Sequence, residues 1–193
     1  MNKSEILSAL EPLVEVFGKM GIDYYIGGSI ASSAFGLPRT TLDIDIIADI
    51  KKIHAEHLVK ALDHEYYIDQ DMIRDAVQNH SSFNIIHNST CFKIDIFILK
   101  NRLFDKLSVK RKREGLLDAD NTDKLFFFAS PEDIIISKLE WFKIGGAVSE
   151  RQINDIKGII KVQGDKLDFD YLKNTASSLK LTDILKKVLN DKN

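Results

Sequence analysis

The chain has 193 residues, 44% hydrophobic and 29% charged, enough to bury a core in one domain or in a small domain with an appended helical part. No apolar run approaches the roughly 18 residues of a membrane span, and a formal charge of −2 offers no general attraction to nucleic acid or anionic lipid. The opening residues Met1-Asn2-Lys3-Ser4-Glu5 carry no signal-peptide pattern, so a soluble, cytoplasmic protein without membrane contact is expected. The single cysteine, Cys91, excludes an internal disulfide and a cysteine-based zinc site, and a buried, inert thiol is expected there. His54, His57, His64, His80 and His87 show no zinc-ligand spacing.

Over residues 4–20, Ile6, Leu7, Leu10, Leu13, Val14 and Phe17 recur at helical spacing and stop before Gly21, which predicts an amphipathic helix. Tyr24-Tyr25-Ile26 is β-prone and runs into Gly27-Gly28-Ser29; a short helix over 30–35 follows, closed by Gly36-Leu37-Pro38. Residues 42–48 alternate as a second strand, 53–62 read as a helix and 72–77 as a short one. Two β-prone runs, 82–87 and 91–99, are separated by Asn88-Ser89-Thr90 and are expected to pair antiparallel.

From 101 to 130 the pattern is polar, with turn signals at Gly115 and Asp118-Ala119-Asp120-Asn121, and the apolar 125–128 reads as an edge or connecting strand. Within it, Lys110-Arg111-Lys112-Arg113 is expected as a solvated face, the alternative being a nucleic-acid contact. Ser130-Pro131-Glu132-Asp133 supplies a cap, a first-turn proline and two acids, and helices are predicted over 131–144, 149–162, 168–179 and 181–190. The expected fold class is α+β: a mixed sheet flanked by helices over 1–129, then a helical region over 130–193.

Side chains at i and i+2 of a strand share a face, so Asp43 and Asp45 project together while Ile44 and Ile46 enter the core. Two like charges so close call for a cation, and magnesium with oxygen ligands answers that need; a solvated strand face is the plainer reading. Gly27-Gly28-Ser29 joins a strand to a helix N-terminus, where backbone N–H groups and the helix dipole favour phosphate. Asp95 interrupts Ile94, Ile96, Phe97 and Ile98, a costly place for a carboxylate without a partner or a metal. Farther on, Lys138 falls in the middle of an apolar helical arc that includes Ile134, Ile135, Leu139, Trp141 and Phe142, so it must snorkel or meet an anion. Trp141 itself is expected in the core, a nucleotide-stacking platform being the alternative. Asp155 lies beside the next helix's apolar arc with Arg151 four residues away on a shared side, and a local salt bridge is the plainer reading for both Lys138 and Asp155.

Taken together, Gly28-Ser29, then Asp43-Ile44-Asp45-Ile46, then a lone Asp95 in a later apolar strand resemble the signature of the DNA polymerase β-like nucleotidyltransferase superfamily. The stretch Gly36-Leu37-Pro38-Arg39-Thr40-Thr41-Leu42-Asp43-Ile44-Asp45 is similar to the branch of AbiEii-type toxins, with Arg39 and Thr41 matching the residues ahead of the acidic pair. This resemblance implies the nucleotidyltransferase fold and transfer of a nucleoside monophosphate from a triphosphate such as ATP to a hydroxyl. Asp43, Asp45 and Asp95 would hold two magnesium ions, manganese being an alternative, and Asp95 would also act as general base. Gly27, Gly28, Ser29, Arg39 and Lys138 would serve the nucleotide, with Thr41, Arg151 and Asp155 behind them. The acceptor is open between RNA, a protein side chain and a small molecule such as an antibiotic; the same branch favours RNA, with an antitoxin partner and a toxin–antitoxin role. The alternative is a catalytically silent nucleotide-binding or partner-binding module of the same fold.

Overall fold

The computed structural model describes residues 3–41, 43–117 and 124–190. Leu42, at the head of the second predicted strand, and the predicted turn Asp118-Ala119-Asp120-Asn121 lie outside the described residues. Helix α1 (Lys3–Lys19) leads into strand β1 (Tyr24–Ile26), helix α2 (Gly28–Phe35), strand β2 (Asp43–Ala48) and helix α3 (His54–Leu62). Strand β3 (Tyr66–Tyr67), helix α4 (Gln70–Asn79), and strands β4 (Ser82–His87) and β5 (Lys93–Ile98) follow. Helix α5 (Leu103–Arg111) and strands β6 (Arg113–Gly115) and β7 (Phe126–Phe128) complete the N-terminal part; helices α6 (Pro131–Ile144), α7 (Glu150–Gln163), α8 (Phe169–Ser178) and α9 (Thr182–Asn190) make the rest. Among the described residues, no helix is long and apolar enough to cross a membrane.

The strands form one mixed sheet in the order β3-β4-β5-β2-β1-β7-β6. The fold class is therefore α+β, as the alternation of apolar and polar residues predicts. In β2 the residues Ile44, Ile46 and Ala48 are fully buried, and in β5 so are Ile94 and Ile96. This face meets an apolar layer that includes Leu10, Leu13 and Phe17 of α1, Leu58 and Leu62 of α3 and Ile73 of α4, all essentially without exposure. The predicted hairpin pairs antiparallel, β4 with β5, and Cys91 N–H donates to the His87 carbonyl at 2.8 Å to close its turn.

Three expectations are corrected. Residues 126–128 form neither an edge nor a mere connection: β7 lies inside the sheet, parallel to β1 through Ile26 and Phe128 and antiparallel to β6. Phe126 and Phe128 share one face and are buried in the core, and the strand's two edges are paired with β1 and β6. Cys91 is exposed, because it sits at the hairpin turn with φ +57 rather than within the strand. The basic run is largely committed to ion pairs rather than solvated: Arg111 donates to the buried Glu132 at 3.1 Å and stacks 3.8 Å from the Tyr171 ring centroid, while Lys112 bonds Asp23 at 2.7 Å.

These contacts fasten α5 and β6 to the start of α6. There Ser130 accepts from the Asp133 N–H, Tyr171 donates to Asp133 at 2.6 Å, and Glu132 accepts from the Asp168 N–H. Helices α6 and α7 pack against each other and against α2, and Ile134, Ile135, Leu139, Ile156 and Ile159 belong to the same buried core as the sheet. The sheet face opposite α1 is thus roofed by α6 and α7, leaving a cleft between roof and sheet.

Candidate active site

The register of β2 and β5 decides where the acids meet. These strands run parallel with Asp45 opposite Asp95 and Asp43 opposite Lys93. Because adjacent strands lie about 4.8 Å apart, the Asp45 and Asp95 side chains are direct neighbours, and Asp43 stands one pleat away on the same face. A parallel register of this kind depends on the crossover through α3, β3, α4 and β4, so no local spacing reveals it.

Repulsion within this group is visible in Asp45. Burial, then the neighbouring Asp95 carboxylate, push its carboxyl above the ordinary range, and a hydrogen bond from the Ser29 backbone N–H only partly offsets them. A cation already answers part of the need: the Lys93 ammonium lies 2.8 Å from Asp95 Oδ2 and 3.7 Å from Asp43 Oδ1, and these partners raise its pKa. Lys93 sits two residues before Asp95, hence on the same face, and the strand period alone is sufficient to find it. Among the described residues, no three acidic, histidine or cysteine groups form a ready-made metal cage. The three carboxylates nevertheless suit a hard divalent ion by donor type, by their shared face and by the positive charge that the site accommodates.

The glycine turn lies directly against this pair. Gly28 opens α2 with φ +54, and a Cβ there would fall 1.7 Å from Asp45 Oδ2. Only glycine allows both the backbone conformation and the approach of the carboxylate. The substitution Gly28→Ala is expected to cost at least about 1 kcal/mol of stability, since φ is wrong for alanine, and to displace Asp45. Urea denaturation checks the first expectation, and a loss of divalent-ion binding by calorimetry the second.

Behind the turn, Arg39 reaches two side chains. It donates to the Ser29 hydroxyl, and it grips Asp155 with two bonds, Nε to Oδ1 at 2.8 Å and an Nη to Oδ2 at 2.9 Å. Lys138, buried, donates to the same Asp155 at 2.7 Å and to Gln152 at 3.3 Å. Burial raises the Asp155 pKa, but the bonds from Arg39 and Lys138 outweigh it and hold the carboxyl below its ordinary value. For Lys138 burial wins, and its ammonium is pushed below the usual lysine range despite Asp155. One carboxylate on α7 therefore places two cations beside the Gly27-Gly28-Ser29 turn. Thr41 is buried, its hydroxyl donating to the Asp43 carbonyl at 3.4 Å.

Of the residues singled out in the sequence, the structure brings together Asp43, Asp45, Asp95, Gly27, Gly28, Ser29, Arg39, Thr41, Lys138 and Asp155. It does not bring in Arg151, which is exposed, while the partners of Asp155 are Arg39 and Lys138.

The cleft that opens beside this cluster, and that Asp45 lines, has a volume of about 380 Å³, within the range of small-molecule sites. Gly27, Gly28, Ser29, Asp45, Lys138 and Gln152 line its polar end, and Tyr25, Ile47, Phe97, Phe104, Trp141 and Ile144 its apolar end. Trp141, expected in the core, is 53% exposed and meets Phe97 edge-on at 6.0 Å between ring centroids. The helical wheel places it correctly on the apolar side of α6, but that side faces the cleft as well as the core.

No family model matches the chain, and no curated protein does. Solved structures share its architecture. The antibiotic-resistance factor ANT(2'')-Ia superposes with a TM-score of 0.59 at 10% identity, covering 100% of each chain. An antigenic nucleotidyltransferase-like protein from Paracoccidioides brasiliensis gives 0.57 at 17% identity over 98% of this chain and 94% of that one. The lincosamide antibiotic adenylyltransferase LnuA, with lincomycin bound, gives 0.51 at 17% identity over 84% of this chain and 98% of the other. Likeness at these identities speaks for architecture alone, and on that footing the chain has the nucleotidyltransferase fold.

Proposed function

We propose that the protein is a divalent-metal-dependent nucleotidyltransferase that moves a nucleoside monophosphate from a nucleoside triphosphate to a hydroxyl group. The observation that carries this reading is the pairing of Asp45 with Asp95 on adjacent parallel strands, with Asp43 on the same face and the Gly28 turn packed against Asp45. Asp43, Asp45 and Asp95 would hold two magnesium ions, or manganese in their place. Such ions supply charge neutralisation along the triphosphate and activation of the attacking hydroxyl.

The chain's own groups do the rest. The start of α2 and the Ser29 hydroxyl receive the β- and γ-phosphates, with Arg39 and Lys138 balancing their charge from the positions that Asp155 gives them. Asp95 accepts the proton of the acceptor hydroxyl as that oxygen attacks the α-phosphorus, and pyrophosphate leaves on the opposite side. The buried position of Lys138 strengthens its attraction to the leaving group.

We take the acceptor to be a small hydroxyl-bearing molecule. Two observations favour this: Arg111 and Lys112, at the centre of the one basic run, are engaged with Glu132 and Asp23, and the net charge of the chain is slightly negative. The lincomycin-bound neighbour agrees with it. An RNA acceptor, with a toxin role and an antitoxin partner, is the alternative.

The test is incubation of the purified protein with magnesium and labelled nucleoside triphosphates, offering lysate metabolites, lysate protein and total RNA as separate acceptors. Label in a small-molecule product supports the reading, label in RNA favours the alternative acceptor, and nucleotide binding without transfer to anything favours the silent module.

A further inference from the structure

Trp141 is the sole tryptophan of the chain and stands 53% exposed, one helical turn beyond Lys138 on the same side of α6. An aromatic ring of this size left open inside a cleft is surface that a ligand can cover. Phe97 meets the indole edge-on and lies two residues beyond Asp95, so the pair stands about 7 Å along the strand from the carboxylates. Ile47, Tyr25 and Phe104 continue the apolar lining. Two cations line this end, Lys100 and Arg102, and Arg102 is engaged by Asp105 and Glu140, with bonds of 2.7 Å to each. At the other end lie Gly28, Ser29 and Lys138. The cleft is thus anion-seeking at one end and aromatic at the other, with room between them for a sugar.

We infer that Trp141, braced edge-on by Phe97, forms the shelf on which the nucleobase of the triphosphate stacks. The inference rests on the nucleotidyl-transfer reading, which places the triphosphate at the Gly28 turn. A mononucleotide fits the order of the cleft: phosphates at the turn, ribose over Ile47, base against the indole. Stacking is tolerant of base identity because every base presents a π face. Occupation of this end by the nucleotide leaves the acceptor to approach from the side of Asp95 and of Asn84, its cross-strand neighbour in β4.

Because Trp141 has no tryptophan companion, the indole emission of the whole chain reports on this shelf alone. Each of the four nucleoside triphosphates is titrated into the protein with magnesium and without acceptor, beside inorganic tripolyphosphate, and binding is measured in parallel by calorimetry. Saturable quenching by a nucleoside triphosphate, with tripolyphosphate binding in the calorimeter but leaving the emission unchanged, is the expected result. Trp141→Ala should weaken nucleoside triphosphate binding roughly tenfold, leave tripolyphosphate binding as it was, and be largely rescued in Trp141→Phe; circular dichroism confirms that each variant is folded. Calorimetric binding of every nucleoside triphosphate with unchanged emission overturns the shelf and leaves the transfer reading standing, as does an equal loss of tripolyphosphate binding in Trp141→Ala. If neither ligand binds, the transfer reading falls and the shelf with it.

Discussion

Replacing Asp45 with asparagine is expected to reduce nucleotidyl transfer roughly a thousandfold, as loss of a metal-binding carboxylate removes several kcal/mol of transition-state stabilisation, while making the ligand-free protein no less stable. The two halves have one cause. In the free protein the Asp45 carboxyl is held above its ordinary pKa, first by burial and then by Asp95. A carboxyl with a raised folded-state pKa contributes stability at low pH that is lost as pH rises through that folded value. Near neutrality the ionised Asp45 is therefore a cost, which an uncharged amide of the same shape removes. The asparagine oxygen can still accept from the Ser29 N–H, so no buried donor is orphaned. Thermal melts should place Asp45→Asn at or above the parent in metal-free buffer, and the order should reverse when magnesium and a nucleoside triphosphate stabilise the parent alone. A variant that melts well below the parent in metal-free buffer refutes this account of the site's electrostatics.

Removing Asp155 should have the opposite signature, losing both stability and function. It is the shared anion of Arg39 and the buried Lys138. Breaking a buried ion pair from one side costs about 3–5 kcal/mol, and with Arg39 25% exposed and able to hydrate, the lower end applies. Asp155→Ala is expected to destabilise the fold by about 3 kcal/mol in urea denaturation and to raise the KM for the triphosphate by roughly tenfold, the effect of one misplaced charge-assisted bond. Acid should act in the same direction: the Asp155 pKa lies below its ordinary value, so its contribution is present above the ordinary aspartate range and is lost as pH falls through the folded value. The double variant Asp155→Ala/Lys138→Met separates the two losses. It removes the stranded ammonium and should recover part of the stability but none of the triphosphate affinity. Recovery of both would mean that Lys138 has no part in binding the nucleotide.

The alternation in residues 43–48 and 93–98 is the most legible feature of the chain, since Ile44, Ile46, Ile94 and Ile96 against Asp43, Asp45 and Asp95 define both strands and the face the acids share. Their register is not legible locally, because it is set by a crossover through four intervening elements. Helix α5 escapes the sequence for a different reason: Asp105 and Ser108 are buried on it beside Phe104, so it carries no apolar stripe to detect. The connection of Asp155 to Arg39 spans most of the chain, and the local partner offered by helical spacing, Arg151, points to the wrong pair. Trp141 and Cys91 show the same limit from two sides. Their neighbours suggest burial, but one faces a cleft and the other a turn, and both features arise from how elements meet rather than from what each contains.

Lys93 bears on how the protein matures. By lying against Asp95 and Asp43 it lends the acidic face a provisional charge balance from within the chain. If the acidic face takes an ion, as proposed above, folding need not wait for it, unlike the situation in small domains whose structure is built around a bound metal. On the transfer reading proposed above, a newly made chain would reach its final shape before any ion is bound, and Lys93 would yield its place beside Asp95 and Asp43 when the ion arrives.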